Sequence, residues 1–157
     1  MSSESPAVSL TPIGYVTGGR RDPLDDNWSS EIATIELTDA FTPDALMGLA
    51  EFSHVEIIFC FHKVDEASVE TAARHPRGNS AWPMVGIFAQ RGKHRPNRLG
   101  VSVARIVSCG GRTLVVSGLD AIDGTPVLDI KPVMSEFLPQ GEIRQPAWSR
   151  ELMQRYW

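Results

Sequence analysis

Phe52-Ser-His-Val-Glu-Ile-Ile-Phe-Cys-Phe61 is the stretch whose reading decides the fold. Successive side chains of a strand point to opposite faces, so Val55, Ile57, Phe59 and Phe61 share one face. His54, Glu56, Cys60 and, just beyond, His62 share the other, with a barrel interior or a cleft as candidate surroundings. Upstream, Glu31–Leu37 alternates in the same way, with Ala33, Ile35 and Leu37 opposed to Ile32, Thr34 and Glu36. Downstream, Leu99–Val107 and Thr113–Leu119 flank the turn Cys109-Gly-Gly-Arg112 and read as a hairpin. Pro126–Pro132 follows the turn residues Asp123-Gly124 as a further strand. Ile13–Thr17, closed by Gly18-Gly19, and Val85–Ala89 complete the set. Many short strands joined by Gly- and Asp-rich turns indicate an antiparallel barrel or sandwich with few short helices.

Two segments read as helices. Thr42-Pro43-Asp44 opens a short one, with Thr as N-cap and Pro in the first turn. Trp148, Leu152 and Tyr156 recur every four residues and indicate an amphipathic helix at the end of the sequence. Between the strands lies a long connection, Lys63–Met84, of a length that usually carries function. No Gly-x-Gly-x-x-Gly follows a strand and no phosphate-binding Gly-Lys-Ser/Thr loop occurs, which disfavours a doubly wound nucleotide-binding sheet.

The composition agrees with one globular domain: 157 residues, 42% hydrophobic and 22% charged, with 13 Gly and 11 Pro. No apolar run reaches the length of a membrane span. The start, Met1-Ser-Ser-Glu-Ser-Pro6, lacks a signal-peptide pattern, and two isolated cysteines suit a reducing compartment, so a cytoplasmic protein is expected. Residues 1–12 are expected to form a mobile tail, 13–140 the β domain, and 141–157 a helical tail packed on the barrel or on a partner.

The formal net charge of −4 counts against nucleic acid. Charge is clustered, however: five of the eight residues Arg91–Arg98 are basic or His. Pro96 stiffens that segment, and held guanidinium groups suit carboxylate or phosphate. On composition alone a solvated basic turn is the better explanation. Alternation places Asp129 and Lys131 on one strand face, either a surface ion pair or a pair that orients a substrate. His54, Glu56 and His62 match no ligand spacing, and no metal is expected. Trp28, in an acidic loop, suits either a stacking platform or a hydrophobic plug.

Taken in order, these segments resemble the TrmO/YaeB (TsaA-like) family. The matching stretches are Ile13-Gly14, Leu49-Ala-Glu-Phe-Ser-His-Val55, Phe61-His62, Pro76-Arg-Gly-Asn79 and Val85-Gly-Ile-Phe-Ala-Gln-Arg91. Two longer ones follow, Arg95-Pro-Asn-Arg-Leu-Gly-Val-Ser102 and Gly118-Leu-Asp-Ala-Ile-Asp-Gly-Thr-Pro-Val-Leu-Asp-Ile-Lys-Pro132. The resemblance implies a small antiparallel β-barrel that binds S-adenosylmethionine without a Rossmann sheet, commonly near a homodimer interface. It also implies N6-methylation of threonylcarbamoyl-adenosine next to the tRNA anticodon. Matching positions imply a cofactor site made by Asn27, Trp28, His62, Lys63, Arg91, Val101, Ala121, Ile122, Asp123 and Gly124. Arg95 and Asn97 would brace the loop or meet the substrate, and Asp129 with Lys131 would face the reacting end as the catalytic pair.

The sequence also departs from that family's pattern. Asp26-Asn27-Trp28-Ser29 stands where Pro-Arg-Gln is usual, Val133 where Tyr is usual, and Arg98-Leu99 where Pro-Ile is usual. The extra C-terminal domain of longer members is not matched. These changes lie on the acceptor side and leave two other functions in view, a non-catalytic S-adenosylmethionine sensor and a methyltransferase acting on a small molecule.

Overall fold

The computed structural model describes residues 4–157. Strands β1 (Gly14–Thr17), β2 (Ile32–Leu37), β3 (His54–Cys60), β6 (Leu99–Gly110), β7 (Thr113–Ser117) and β8 (Pro126–Pro132) close into a barrel. Its order is β1-β2-β7-β6-β3-β8, and every neighbouring pair is antiparallel. A separate ribbon pairs β4 (Ala73–Arg74) with β5 (Val85–Gly86). Of the two folds open to the strand pattern, the barrel is realised.

The alternation of β3 is obeyed residue by residue. Val55, Ile57 and Phe59 are buried with Ile35, Leu114, Val116 and Val127 in one core, which fills the interior. His54 and Glu56 therefore lie on the outer wall, not inside the barrel. An interior this small is filled by side chains, and an unpaired carboxylate there would be costly. Glycine makes the tight packing possible at Gly100. A Cβ there would lie 2.5 Å from the Phe59 ring and 2.9 Å from that of Phe61. Those two rings meet edge to face, with centroids 5.4 Å apart.

Strand β8 carries an irregularity that simple alternation does not show. Its register against β3 shifts between Ile58 and Phe59, which pair with Asp129 and Val127. Leu128 is the additional residue of a bulge. Val127 and Ile130 both turn toward the core, while Asp129 and Lys131 stay together on the outside.

Three local expectations are corrected. The helix expected after Thr42 is two 3-10 turns, Pro43–Leu46 and Leu49–Glu51. Thr42 makes no side-chain cap, and Gly48, at φ 85°, interrupts the run. The strand expected over Val85–Ala89 covers only Val85–Gly86 before a 3-10 turn, Ile87–Ala89. The long connection before it is not structureless, since it supplies β4. The terminal helix, α1 (Ala147–Leu152), continues as a 3-10 turn, Met153–Arg155. Residues 4–12 lack regular structure and 4–11 are exposed, and residues 1–3 of the expected tail lie outside the described residues. Cys60 and Cys109 are free thiols.

Candidate functional site

Loops from distant parts of the chain gather at one end of the barrel, and Arg20 organises the first of them. Its guanidinium donates to the carbonyls of Asp26 and Asn27, each at 2.8 Å, and pairs with Glu31 at 3.1 Å. It also lies 3.8 Å from the centroid of the Trp28 ring, a cation–π contact. The Trp28 side chain is buried and its Nε1 donates to the Asp25 carbonyl at 3.2 Å. The indole is thus used to build the loop. What the loop presents outward is Asn27, whose φ of 65° is one that asparagine tolerates better than most residues.

The Asp120–Gly124 turn is stitched to the same region. Gly18 N–H donates to Asp123 Oδ1 at 2.8 Å, Asp123 N–H to the Arg20 carbonyl at 2.8 Å, and Gly124 N–H to the Val16 carbonyl at 2.7 Å. The Ala121 and Ile122 side chains are buried, so at this turn a ligand would meet mainly backbone. Gly124, at φ 85°, lies beside His62: a Cβ there would be 3.5 Å from His62 Nε2. Burial, and then the adjacent Lys63 ammonium, hold the His62 imidazole below its ordinary value, leaving it neutral at pH 7. Lys63 is exposed.

The basic segment keeps its charge. Arg91 Nη2 donates to the Val101 carbonyl at 2.8 Å, Arg95 to that of Gln90 at 2.6 Å, and Arg98 to that of Val64 at 2.8 Å. Carbonyls orient these guanidinium groups without neutralising them. The one ion pair in the segment among the described residues, Arg98 with the exposed Glu66 at 3.8 Å, is weak. Arg95 thereby ties the loop to the Gln90 backbone. Asn97 contributes a left-handed turn, at φ 63°, with Arg98 following at φ 50°. Two such residues in succession cost on the order of 1–3 kcal/mol each. The Arg98–Val64 bond and the Phe61 N–H to Arg98 carbonyl bond, 2.8 Å, help hold them.

Asp129 and Lys131 occupy the outer wall of the same barrel. Lys131 Nζ is 2.8 Å from Asp129 Oδ2, and Ile130 N–H donates to Asp129 Oδ1 at 2.9 Å. The hydrogen bond to Asp129, and the charges of Asp129 and Glu56, raise the Lys131 ammonium above its ordinary value. Val101, Ile58 and Asp129 are consecutive partners across β6, β3 and β8. Two strand spacings, about 10 Å, therefore separate the backbone holding Arg91 from that of Asp129. Asp129 also reaches the rim of a groove of about 530 Å³ lined by apolar residues including Phe41, Met47 and Phe52.

Sequence reasoning missed Arg20, Gln90, Asp120 and Tyr156. Gln90 is buried and its Nε2 donates to the carbonyls of Arg74 and Val85, both at 3.0 Å, which fixes the ribbon against the basic loop. Tyr156 donates its hydroxyl to Asp120 Oδ2, while Asp120 Oδ1 is buried without a partner. Burial, and then the Asp120 carboxylate, push the Tyr156 phenol far above its ordinary value, so it stays a donor. Asn27 and Trp28 N–H groups donate to the carbonyls of Arg155 and Tyr156 at 2.8 and 2.9 Å. The spacing of Trp148, Leu152 and Tyr156 showed a helical face but not what it would meet. No group of three or more His, Cys, Asp or Glu suited to a metal occurs among the described residues.

A closed antiparallel barrel, with its polar and cationic loops gathered at one end, defines a β-barrel protein outside the Rossmann class. Comparison with known proteins gives the family. A model of the tRNA-methyltransferase O N-terminal domain matches residues 20–137, and the chain belongs to that family. It is 36% identical to human tRNA (adenine(37)-N6)-methyltransferase over 86% of this chain and 32% of that protein. It is 39% identical to the mouse protein of the same name over 80% of this chain and 31% of the other. The chain therefore spans about a third of the length of these relatives. A crystal structure of TrmO from Pseudomonas aeruginosa superimposes with a TM-score of 0.75 at 31% identity, covering 94% of this chain and 64% of that one.

Proposed function

We propose that this chain is an S-adenosylmethionine-dependent tRNA methyltransferase acting on N6 of threonylcarbamoyl-adenosine beside the anticodon. The observation that carries the reading is the family match over residues 20–137. The barrel geometry supports it by bringing Asn27, His62, Arg91 and Asp123-Gly124 to one end. The residues fit the donor. Arg91 is held by one nitrogen and has others for a carboxylate, Asp120 Oδ1 is a buried acceptor without a partner, and Gly124 leaves the space beside His62 open. S-adenosylmethionine would supply an electrophilic methyl group there.

The protein's own task is positioning. An acceptor N–H placed in line can gain a large part of its rate from orientation alone. Asp129 is held in one orientation by Lys131 and by the Ile130 N–H. It suits accepting a hydrogen bond from the N6–H, and the proton released as the N–CH3 bond forms and the S–CH3 bond breaks would leave through it to solvent. Lys131 keeps that carboxylate in place, and the apolar groove beside it offers a wall for a purine.

We assign the 141–157 segment to bracing the donor loop. The exposed apolar patch of Leu99 and Val101, continued by Ile58 and Cys60, is the surface we assign to a homodimer. We assign the reaction to the cytoplasm, which a tRNA substrate supports. No described helix is long and apolar enough to cross a membrane.

Calorimetry with S-adenosylmethionine, paired with labelled-methyl transfer to tRNA carrying the threonylcarbamoyl group, tests the function. Binding and transfer are expected, with donor affinity lowered in Arg91→Ala. No donor binding would refute the reading, and binding without transfer would exclude tRNA as acceptor and leave a sensor or a small-molecule methyltransferase.

A further inference from the structure

A second groove, of about 310 Å³, lies on the outer wall of β3, β6 and β7. Ser29, His54, Arg105, Ser117, Gly118 and Trp157 are among the residues that line it, and no Asp or Glu does. That is unusual ground in a chain of net charge −4. Arg105 and His54 are register partners on adjacent strands. Arg105 donates from Nε to Ser117 Oγ at 3.3 Å, and among the described residues no carboxylate lies within 4.0 Å of its guanidinium nitrogens. The remaining donors of its planar fork are available to an anion.

The aromatic member of the groove is exposed yet fixed. Trp157 is 52% exposed. Its ring meets the Tyr156 ring edge to face, with centroids 4.9 Å apart and planes at 88°. Tyr156 is held by its hydroxyl on Asp120 and by its carbonyl, which accepts from Trp28 N–H at 2.9 Å. The platform is therefore largely ordered before anything binds, which reduces the entropy lost on stacking. An indole face beside a guanidinium, an imidazole and hydroxyls is the donor set that takes a base and its phosphate.

The groove adjoins the donor site through the chain itself. Ser29 follows Trp28, and Gly118 lies two residues before Asp120. Resting on the function proposed above, we infer that this groove holds a nucleotide of the RNA acceptor that neighbours the methylated one. Its base stacks on Trp157 and its phosphate meets Arg105. A free mononucleotide shares that chemistry, and adjacency to the donor loop favours the strand.

Fluorescence anisotropy of an anticodon stem-loop RNA, titrated at several salt concentrations, tests this, with adenosine monophosphate as competitor. Trp157→Ala should weaken RNA binding about tenfold or more, and Trp157→Phe should restore much of it. Arg105→Gln should lower the slope of log affinity against log salt by about 1. Donor affinity by calorimetry should be unchanged in Arg105→Gln, which lies outside the segment that braces the donor loop. RNA affinity and salt slope equal to wild type in Trp157→Ala and Arg105→Gln would overturn the inference, as would competition by the mononucleotide at equal concentration. A wild-type chain that binds the donor but not RNA removes the groove assignment with the acceptor. A chain that binds RNA through these residues but not the donor keeps the groove and refutes the methyltransferase.

Discussion

Replacing Tyr156 by Phe removes one oxygen atom and leaves the ring that packs on Trp157. Among the described residues the hydroxyl is the sole side-chain donor to Asp120, whose other oxygen is already buried and unpartnered. A hydrogen bond to a charged group contributes about 1.5–3 kcal/mol, and its removal leaves the acceptor desolvated. In a domain of this size about 1 kcal/mol moves the thermal midpoint by about 2–4 °C, so a fall of roughly 3–12 °C is expected. The pH dependence gives an independent reading. The folded phenol titrates far above its ordinary value of 10.0, whereas the unfolded one does not. A raised value stabilises the fold fully below the unfolded value, and that contribution declines as pH rises above about 10. Differential scanning calorimetry of wild type and Tyr156→Phe should show a constant gap from neutral pH to about 9, narrowing above about 10. A gap under 1 °C, or one that widens with alkali, would refute the assignment of the buried bond.

Two further outcomes follow from particular contacts. Gly100→Ala drives a methyl group into the Phe59 and Phe61 rings, and overpacking of this kind costs about 1–3 kcal/mol, which urea unfolding would measure. Asp129→Asn should lower the methyl-transfer rate on the order of a hundredfold while donor affinity by calorimetry stays near wild type, since Asp129 is assigned to the acceptor.

Much of the fold is legible locally because strand periodicity is a two-residue property. Val55, Ile57 and Phe59 announce a buried face whatever their partners are. The bulge at Leu128 is not legible, because it is defined only by the register of β8 against β3. The 3-10 turns replacing a helix after Thr42 follow from Gly48 and from packing, which outweigh a favourable capping pattern. At the site, the resemblance named Arg91 and Asp123-Gly124, and the loops carrying both converge at one end of the barrel. It also named Trp28, whose ring the structure spends on Arg20 and the loop interior.

By itself the sequence determined the six strands of the barrel, which side chains share a face, the shared side of Asp129 and Lys131, and the family. Closure of the barrel belongs to the tertiary structure, because β1 meets β8 only after the whole domain has folded between them. The same holds for the joining of Tyr156 to Asp120 and of Arg20 to Trp28. Such contacts depend on side chains brought together by strand order and loop path, and no period of two or four residues encodes which loop ends will meet.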